Sequence, residues 1–356
     1  MKHAIESRLG LIGIAAVMFG AAAAADTLPK THVTAVGNAS KTVNSYKAEA
    51  PFWAEVIPNE SGGSVTANFT PYDLLGIAGT QILRLTNAGV VDFGAGDFSK
   101  IAGDNPIFEG CDLAGLSLDI ETVRAACEAW LPVVSPVAEQ LFNTKFLGTG
   151  TNPPQVIWCR GPVGGLVDMK GKKVRVFNKS MTDFLEAVGA TPVPMSFSEV
   201  VPSMQRGVID CAVTGTMSGF TAGWPEVATH QFQLFMGWSV QYQSVNIDSW
   251  ERFGPDLQAF FSERFDGLTD QLWKVAKEAT IAADACNFGE GGACPEGTVA
   301  QLVNVPVTDA DREAHRQVMT DVVLVKWGQR VGKDVAQKWN ETVGKVVGFT
   351  IPLHKI

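Results

Sequence analysis

Hydrophobic and polar positions in the middle of the chain alternate between strand-like and helix-like spacing. Lys172 to Val176 is a short β-favouring run. Ser180 with Asp183 then forms a capping-box-like start to a helix whose apolar positions Met181, Phe184, Leu185 and Val188 follow helical spacing until Gly189 ends it. Thr191 to Met195 is a second extended run, Ser196-Phe197-Ser198-Glu199 offers another capping box, and a short helix carries the chain to Gly207. Val208 to Val213 reads as a buried strand. Three strands alternating with two helices predict a parallel sheet with right-handed crossovers.

The same alternation occurs earlier. Val65 to Phe69 suggests a strand, Ile77 to Asn87 a helix, and Gly89-Val90-Val91-Asp92-Phe93 a strand whose opening resembles Gly207-Val208-Ile209-Asp210-Cys211. Two α/β units of like design favour a two-lobed molecule, and α/β sheets place ligands beyond the carboxyl ends of their strands, so a cleft between lobes is the expected site. The C-terminal third reads as helical: Leu268 to Ala285, Asp309 to Trp327 and Gly332 to Val343, suited to bracing or bridging the lobes. The expected division is 26–155 with 239–267 as lobe I, 156–238 as lobe II, and 268–356 as hinge-spanning and C-terminal helices. Residues 1–25 are set apart. Lys2 and Arg8 precede the apolar run Leu9 to Phe19, and small residues end at Ala25, the layout of a cleaved secretory signal. The apolar part is shorter than the ~20 residues a spanning helix needs, so the mature protein is expected outside the cytoplasm and not embedded in a membrane.

Composition narrows the chemistry. The 356 residues are 46% hydrophobic and 18% charged, which excludes a disordered chain. The net charge is -9, and with Lys2, Glu6 and Arg8 removed 26 basic and 36 acidic residues remain, about -10, so a nucleic-acid partner is not expected. In an oxidising compartment the six cysteines would form structural disulfides. Cys286 and Cys294 enclose a short polar loop, and Cys111 with Cys127 and Cys159 with Cys211 complete the favoured pairing. Other connectivities remain open at this level. No GxSxG elbow, HExxH helix, Walker loop or complete dinucleotide fingerprint occurs, and His32, His230, His315 and His354 are scattered, so neither catalysis, a cofactor nor a metal is expected.

Arg175 stands out inside the apolar Val174-Arg175-Val176. Strands of parallel sheets are usually apolar on both faces, so a guanidinium there needs an anionic partner or an exit at a strand end. A ligand carboxylate would suit its planar fork; an Asp or Glu of the protein would serve equally.

The ordered stretches Asp168-Met169-Lys170-Gly171-Lys172-Lys173-Val174-Arg175-Val176, Val188-Gly189-Ala190-Thr191-Pro192-Val193-Pro194-Met195-Ser196-Phe197-Ser198-Glu199-Val200 and Gln205-Arg206-Gly207-Val208-Ile209-Asp210 closely resemble the DctP-type solute receptors of TRAP transporters. The resemblance implies an α/β, two-lobed periplasmic-binding-protein fold, type II-like, with long C-terminal bracing helices. It also implies a periplasmic, non-enzymatic receptor that closes on a small organic acid and delivers it to the membrane permease subunits of a sodium-driven TRAP transporter. Arg175 then becomes the carboxylate-binding arginine. Phe197 falls where the family sets an aromatic residue against the ligand, a position that core packing would also explain. Thr214 stands where many sialic-acid and dicarboxylate receptors have asparagine, and Cys211 replaces a glycine of their preceding strand, which counts against those substrates.

The other candidates rest on position. The hydroxyl-rich run containing Thr214 and Thr216 could serve a ligand or cap the next helix. Arg160 is a second anion contact or a surface or hinge residue, and its distance from Arg175 does not match the second arginine of sialic-acid receptors. Asn38, after the strand Val33 to Val36, and Asp97 with Phe98, after the strand Val90 to Phe93, fall at the expected cleft edge or make ordinary turns. Among nine tryptophans, Trp238 lies near the expected crossover, as an aromatic wall or as core. The competing functions are a receptor for an ATP-driven importer or a sensor, and an exported enzyme.

Overall fold

The computed structural model describes residues 28–356, so the expected export signal lies outside the described residues. Its strands form two sheets. The first contains β1 (Thr31–Gly37), β2 (Val65–Pro71), β3 (Phe93–Asp97), β4 (Thr144–Gly150) and β10 (Gln241–Asn246), in the order β2-β1-β3-β10-β4. The second contains β5 (Gln155–Cys159), β6 (Lys173–Val176), β7 (Thr191–Pro194), β8 (Cys211–Gly215), β9 (His230–Phe232) and β11 (Val303–Val305), in the order β11-β9-β5-β8-β6-β7. In each, three parallel strands form one side (β2, β1, β3 and β7, β6, β8), and an antiparallel strand follows (β10 and β5).

The two Gly-Val-x-Asp segments prove to be one device used twice. Gly89 and Gly207 take positive φ, 65° and 71°, to end short helices, Ile82–Asn87 and Val200–Gln205. Val90 and Val208 are exposed, and Asp92 and Asp210 turn their carboxylates to the neighbouring strand, where they accept the N–H of Thr34 and of Lys173, both at 2.9 Å. These strands therefore begin later than the apolar pattern suggests, at Phe93 and Cys211. The expected Ser180/Asp183 cap is also corrected: Asn178 caps that helix by accepting from the Met181 N–H at 2.8 Å, while Ser180 accepts from the Ala114 N–H and Asp183 pairs with Arg330. Ser196 and Glu199 do form a capping box.

The C-terminal third is mostly helical but contributes β11 to the second sheet. Its first helix runs from Ile247 to Phe288, across the expected boundary at 267/268, with a break at Gly254 before Pro255. Its residues Phe261, Phe265 and Leu272 pack on the first sheet with Phe52, Trp53, Phe93 and Val245. A larger core joins the inner residues of the second sheet to Phe146 and Tyr242 of the first, to the helix Ile120–Phe142, and to the last helices. Three indoles fasten that region to one turn: Trp130 donates to Ile107 O, Trp327 to Pro106 O and Trp339 to Gly110 O, at 2.9, 2.8 and 2.6 Å. The disulfides are Cys111–Cys127, Cys159–Cys211 and Cys286–Cys294, the pairing favoured from the sequence. Among the described residues no helix is long and apolar enough to cross a membrane.

Two segments cross between the sheets side by side, 151–154 and 233–240, tied by Gln155 N to Gly237 O at 2.8 Å. Buried Asp112 holds the second crossing by accepting the N–H groups of Trp238 and Val240 at 2.9 and 3.1 Å. Burial pushes its carboxyl up to about 7, against the opposing pull of those backbone donors. The folded state thus binds this proton more tightly than the unfolded chain does, and the Asp112 contribution to stability falls as pH rises from about 4 to about 7. Asp112→Asn, which does not titrate, should gain stability relative to the unaltered protein across that window, by up to about 4 kcal/mol. Denaturant unfolding at a series of pH values checks this; a difference that stays flat with pH contradicts it.

A second expectation concerns the indole cluster. A Cβ at Gly110 would lie 2.5 Å from the Trp130 ring nitrogen and 2.9 Å from Trp327. Gly110→Ala should therefore destabilise by about 1–3 kcal/mol through overpacking, although its backbone angles suit alanine. An unchanged unfolding midpoint would show that the cluster yields without cost.

Candidate functional site

A cleft of about 1220 Å³ opens where both sheets present the carboxyl ends of their parallel strands. Asn38 follows β1, Tyr72 follows β2 and Asp97 ends β3; from the second sheet come Arg175 of β6, Met195 after β7 and Thr214 of β8. The rims also touch directly, with the Thr221 hydroxyl donating to Lys41 O at 2.6 Å.

Arg175 owes its place to strand alternation. Val174 and Val176 point into the large shared core, which leaves Arg175 on the opposite face, beside Val193 and Ala212. Its side chain runs to the strand end between two rings, with the guanidinium carbon 5.1 Å from the Phe177 centroid and 6.0 Å from that of Trp224. Nε donates to Met195 O at 3.1 Å and Nη1 to Val213 O at 2.7 Å. Nη2 makes no hydrogen bond, and no acidic side chain pairs with the guanidinium, among the described residues. The residue is 3% exposed. Burial pulls its pKa down to about 10, opposed by Tyr72, Asp97 and Glu199, so it stays charged at neutral pH. A buried, charged guanidinium facing a cleft without a counter-ion is costly unless an anion arrives.

The first sheet supplies a second ionic group. Asp97 pairs with Lys100, one turn on. Burial disfavours the Lys100 charge, but Asp97 and Tyr72 outweigh it and hold the ammonium pKa above its ordinary value. Lys100 also lies over the Tyr72 ring at 5.1 Å. Asn38 donates its backbone N–H and its amide nitrogen to the fully buried Glu49, at 2.9 and 2.7 Å, and Gln243 adds a third donor at 3.1 Å. Burial nevertheless pushes the Glu49 carboxyl up. Asn152, on the first crossing segment, donates to Ser239 O and leaves Oδ1 without a partner.

Of the residues singled out in the sequence, Arg175, Phe197, Thr214, Asn38 and Asp97 line the cleft. The others do not. Thr216 is buried at the start of the helix Thr216–Thr221, where its carbonyl accepts from Asn287. Trp238 is core, its indole donating at 2.9 Å to Ser117 O in the loop before the helix Ile120–Phe142. Arg160 lies outside, 3.8 Å from Asp210. Phe98 packs edge-on against Phe146 and Tyr242 beneath Asp97. Lys100, Tyr72, Phe177, Asn152 and Trp224 escaped notice. Asn152 had a usable signal, since Asn152-Pro153-Pro154 is a stiff crossing. Trp224 had none, for its ring reaches Arg175 and Phe197 (5.6 Å between centroids) only through tertiary packing. Among the described residues no group of three or more His, Cys, Asp or Glu is placed to hold a metal ion.

The architecture and the chain's sequence agree with known proteins. The chain is 30% identical over 204 residues to the sialic acid-binding periplasmic protein SiaP of Vibrio cholerae, covering 56% of this chain and 61% of SiaP. It is 25% identical over 183 residues to the protein YiiZ of Salmonella typhimurium, covering 50% and 55%. The aligned segments thus span little more than half of these relatives. The sugar acid binding protein DctPAm of Advenella mimigardefordensis, solved with galactonate, shares the fold with a TM-score of 0.78 at 16% identity, over 90% of this chain and 99% of that one. The DctP model, described as bacterial extracellular solute-binding protein, family 7, matches residues 36–323, and the chain belongs to that family.

Proposed function

We propose that the protein is a periplasmic receptor that captures a small organic acid in the cleft and delivers it to the membrane subunits of a TRAP-type, sodium-coupled permease, without altering it. Export by a cleaved segment at 1–25 is part of this reading. The observation that carries it is Arg175: a buried cation at a strand end, held by two carbonyls and flanked by two rings, with no acidic partner among the described residues. A carboxylate completes such a site, because two parallel N–H···O bonds match its geometry and the low dielectric of the cleft strengthens the pairing. The resemblance to SiaP and DctPAm, receptors for acids by their descriptions, supports the same class of ligand. Phe197 and Trp224 form the wall beside the head group, and Thr214 lines the cleft nearby.

In this reading lobe I spans 26–155 with 239–267 and lobe II spans 156–238. Closure turns on the crossings at 151–154 and 233–240, which carry no helix and are tied to each other. Recovery of unaltered acid from denatured protein supports a receptor over an enzyme. Uptake that follows a sodium gradient rather than ATP distinguishes the permease.

Arg175→Ala should weaken acid binding by about 2–5 kcal/mol in titration calorimetry while leaving the unfolding midpoint of the free protein unlowered. Arg175→Lys should recover little of the loss, since an ammonium cannot make the two parallel bonds. Unchanged affinity in Arg175→Ala removes the residue from the site.

A further inference from the structure

The charges at the cleft floor limit how many carboxylates a ligand can bring. Asp97 and Lys100 neutralise each other, and among the described residues no acidic side chain pairs with Arg175. The floor therefore carries one uncompensated positive charge, and one carboxylate balances it. A second carboxylate would lose its hydration only to approach an ammonium already held by Asp97, and would meet the Asp97 carboxylate itself. The mouth adds to this, since Asp73, Glu199 and Glu226 line it against Lys41.

The remaining floor is rich in acceptors. Asp97 Oδ1 receives one long contact, from Asn152 Nδ2 at 3.5 Å. Asn152 Oδ1 is buried with no partner, and Asn38 has committed its amide nitrogen to Glu49. A ligand whose body donates hydrogen bonds satisfies these oxygens. A bare hydrocarbon body would leave the Asp97 and Asn152 oxygens without a donor.

Resting on the reading of the cleft as a carboxylate site, we infer that it selects monocarboxylates whose body carries hydroxyl or N–H donors. Asp97 sets this specificity twice over, by accepting from the ligand and by holding Lys100 away from a second carboxylate.

The test is titration calorimetry of the exported chain with matched acids: gluconate against glucarate, lactate against malate, and each hydroxy acid against its deoxy analogue, hexanoate or propionate. Among acids that bind, the hydroxylated monocarboxylate should bind at least about tenfold tighter than its dicarboxylate and its deoxy partner. Asp97→Asn, which frees Lys100, should shrink the monocarboxylate-to-dicarboxylate ratio by at least about tenfold. The ratios of the unaltered protein stand without any variant. A dicarboxylate or deoxy acid binding as tightly as its partner, with that binding lost in Arg175→Ala, overturns the inference and leaves the carboxylate site standing. Failure of every acid to bind overturns both.

Discussion

A guanidinium buried without a counter-ion is the constraint around which the rest of the molecule is arranged. Desolvating such a group costs several kcal/mol, and the Met195 and Val213 carbonyls with the rings of Phe177 and Trp224 offset only part of that. The fold tolerates the deficit because Arg175 sits on a strand fixed on both sides, by β7 and β8, and because the opposite strand face is anchored in the largest core. What remains is a cation at the cleft whose Nη2 makes no hydrogen bond among the described residues.

The two sheets reach this arrangement by repeating one local design and changing one position. Asp92 and Asp210 each tether the strand beside them, so β1 and β6 enter their sheets in the same register. Counting from the residues they bind, Val36 of the first sheet corresponds to Arg175 of the second. Valine there leaves the first sheet neutral, and its contribution to the cleft comes instead from the strand ends, through Asn38 and the Asp97–Lys100 pair. One side offers charge and the other a compensated, acceptor-rich surface. Joined by the paired crossings at 151–154 and 233–240, they face the same cleft.

Much of this was legible from local pattern. An arginine inside the apolar Val174-Arg175-Val176 called for an anionic partner or an exit at a strand end, strand-end position put Asn38 and Asp97 at the expected cleft edge, and the Ser196/Glu199 box marked the turn that carries Phe197. The failures share a cause. Val90 and Val208 look like strand residues, but the aspartates that follow terminate the turns and delay the strands. Trp238 was placed correctly near a crossing, yet which way a crossing segment turns its side chains depends on what packs behind it, here Ser117 and Asp112. Trp224 reaches Arg175 only through contacts between distant segments, and Lys100, one turn from Asp97, meets Tyr72 in the same way, which hydrophobic periodicity does not encode.

The most direct measurement is a crystal structure of the protein with its co-purified or titrated acid. The account predicts a carboxylate in the cleft with its oxygens about 2.7–2.9 Å from the Arg175 guanidinium nitrogens, Nη2 among them, between Phe177 and Trp224. A bound acid whose carboxylate lies elsewhere, with Arg175 still bonded only to the Met195 and Val213 carbonyls, would contradict it.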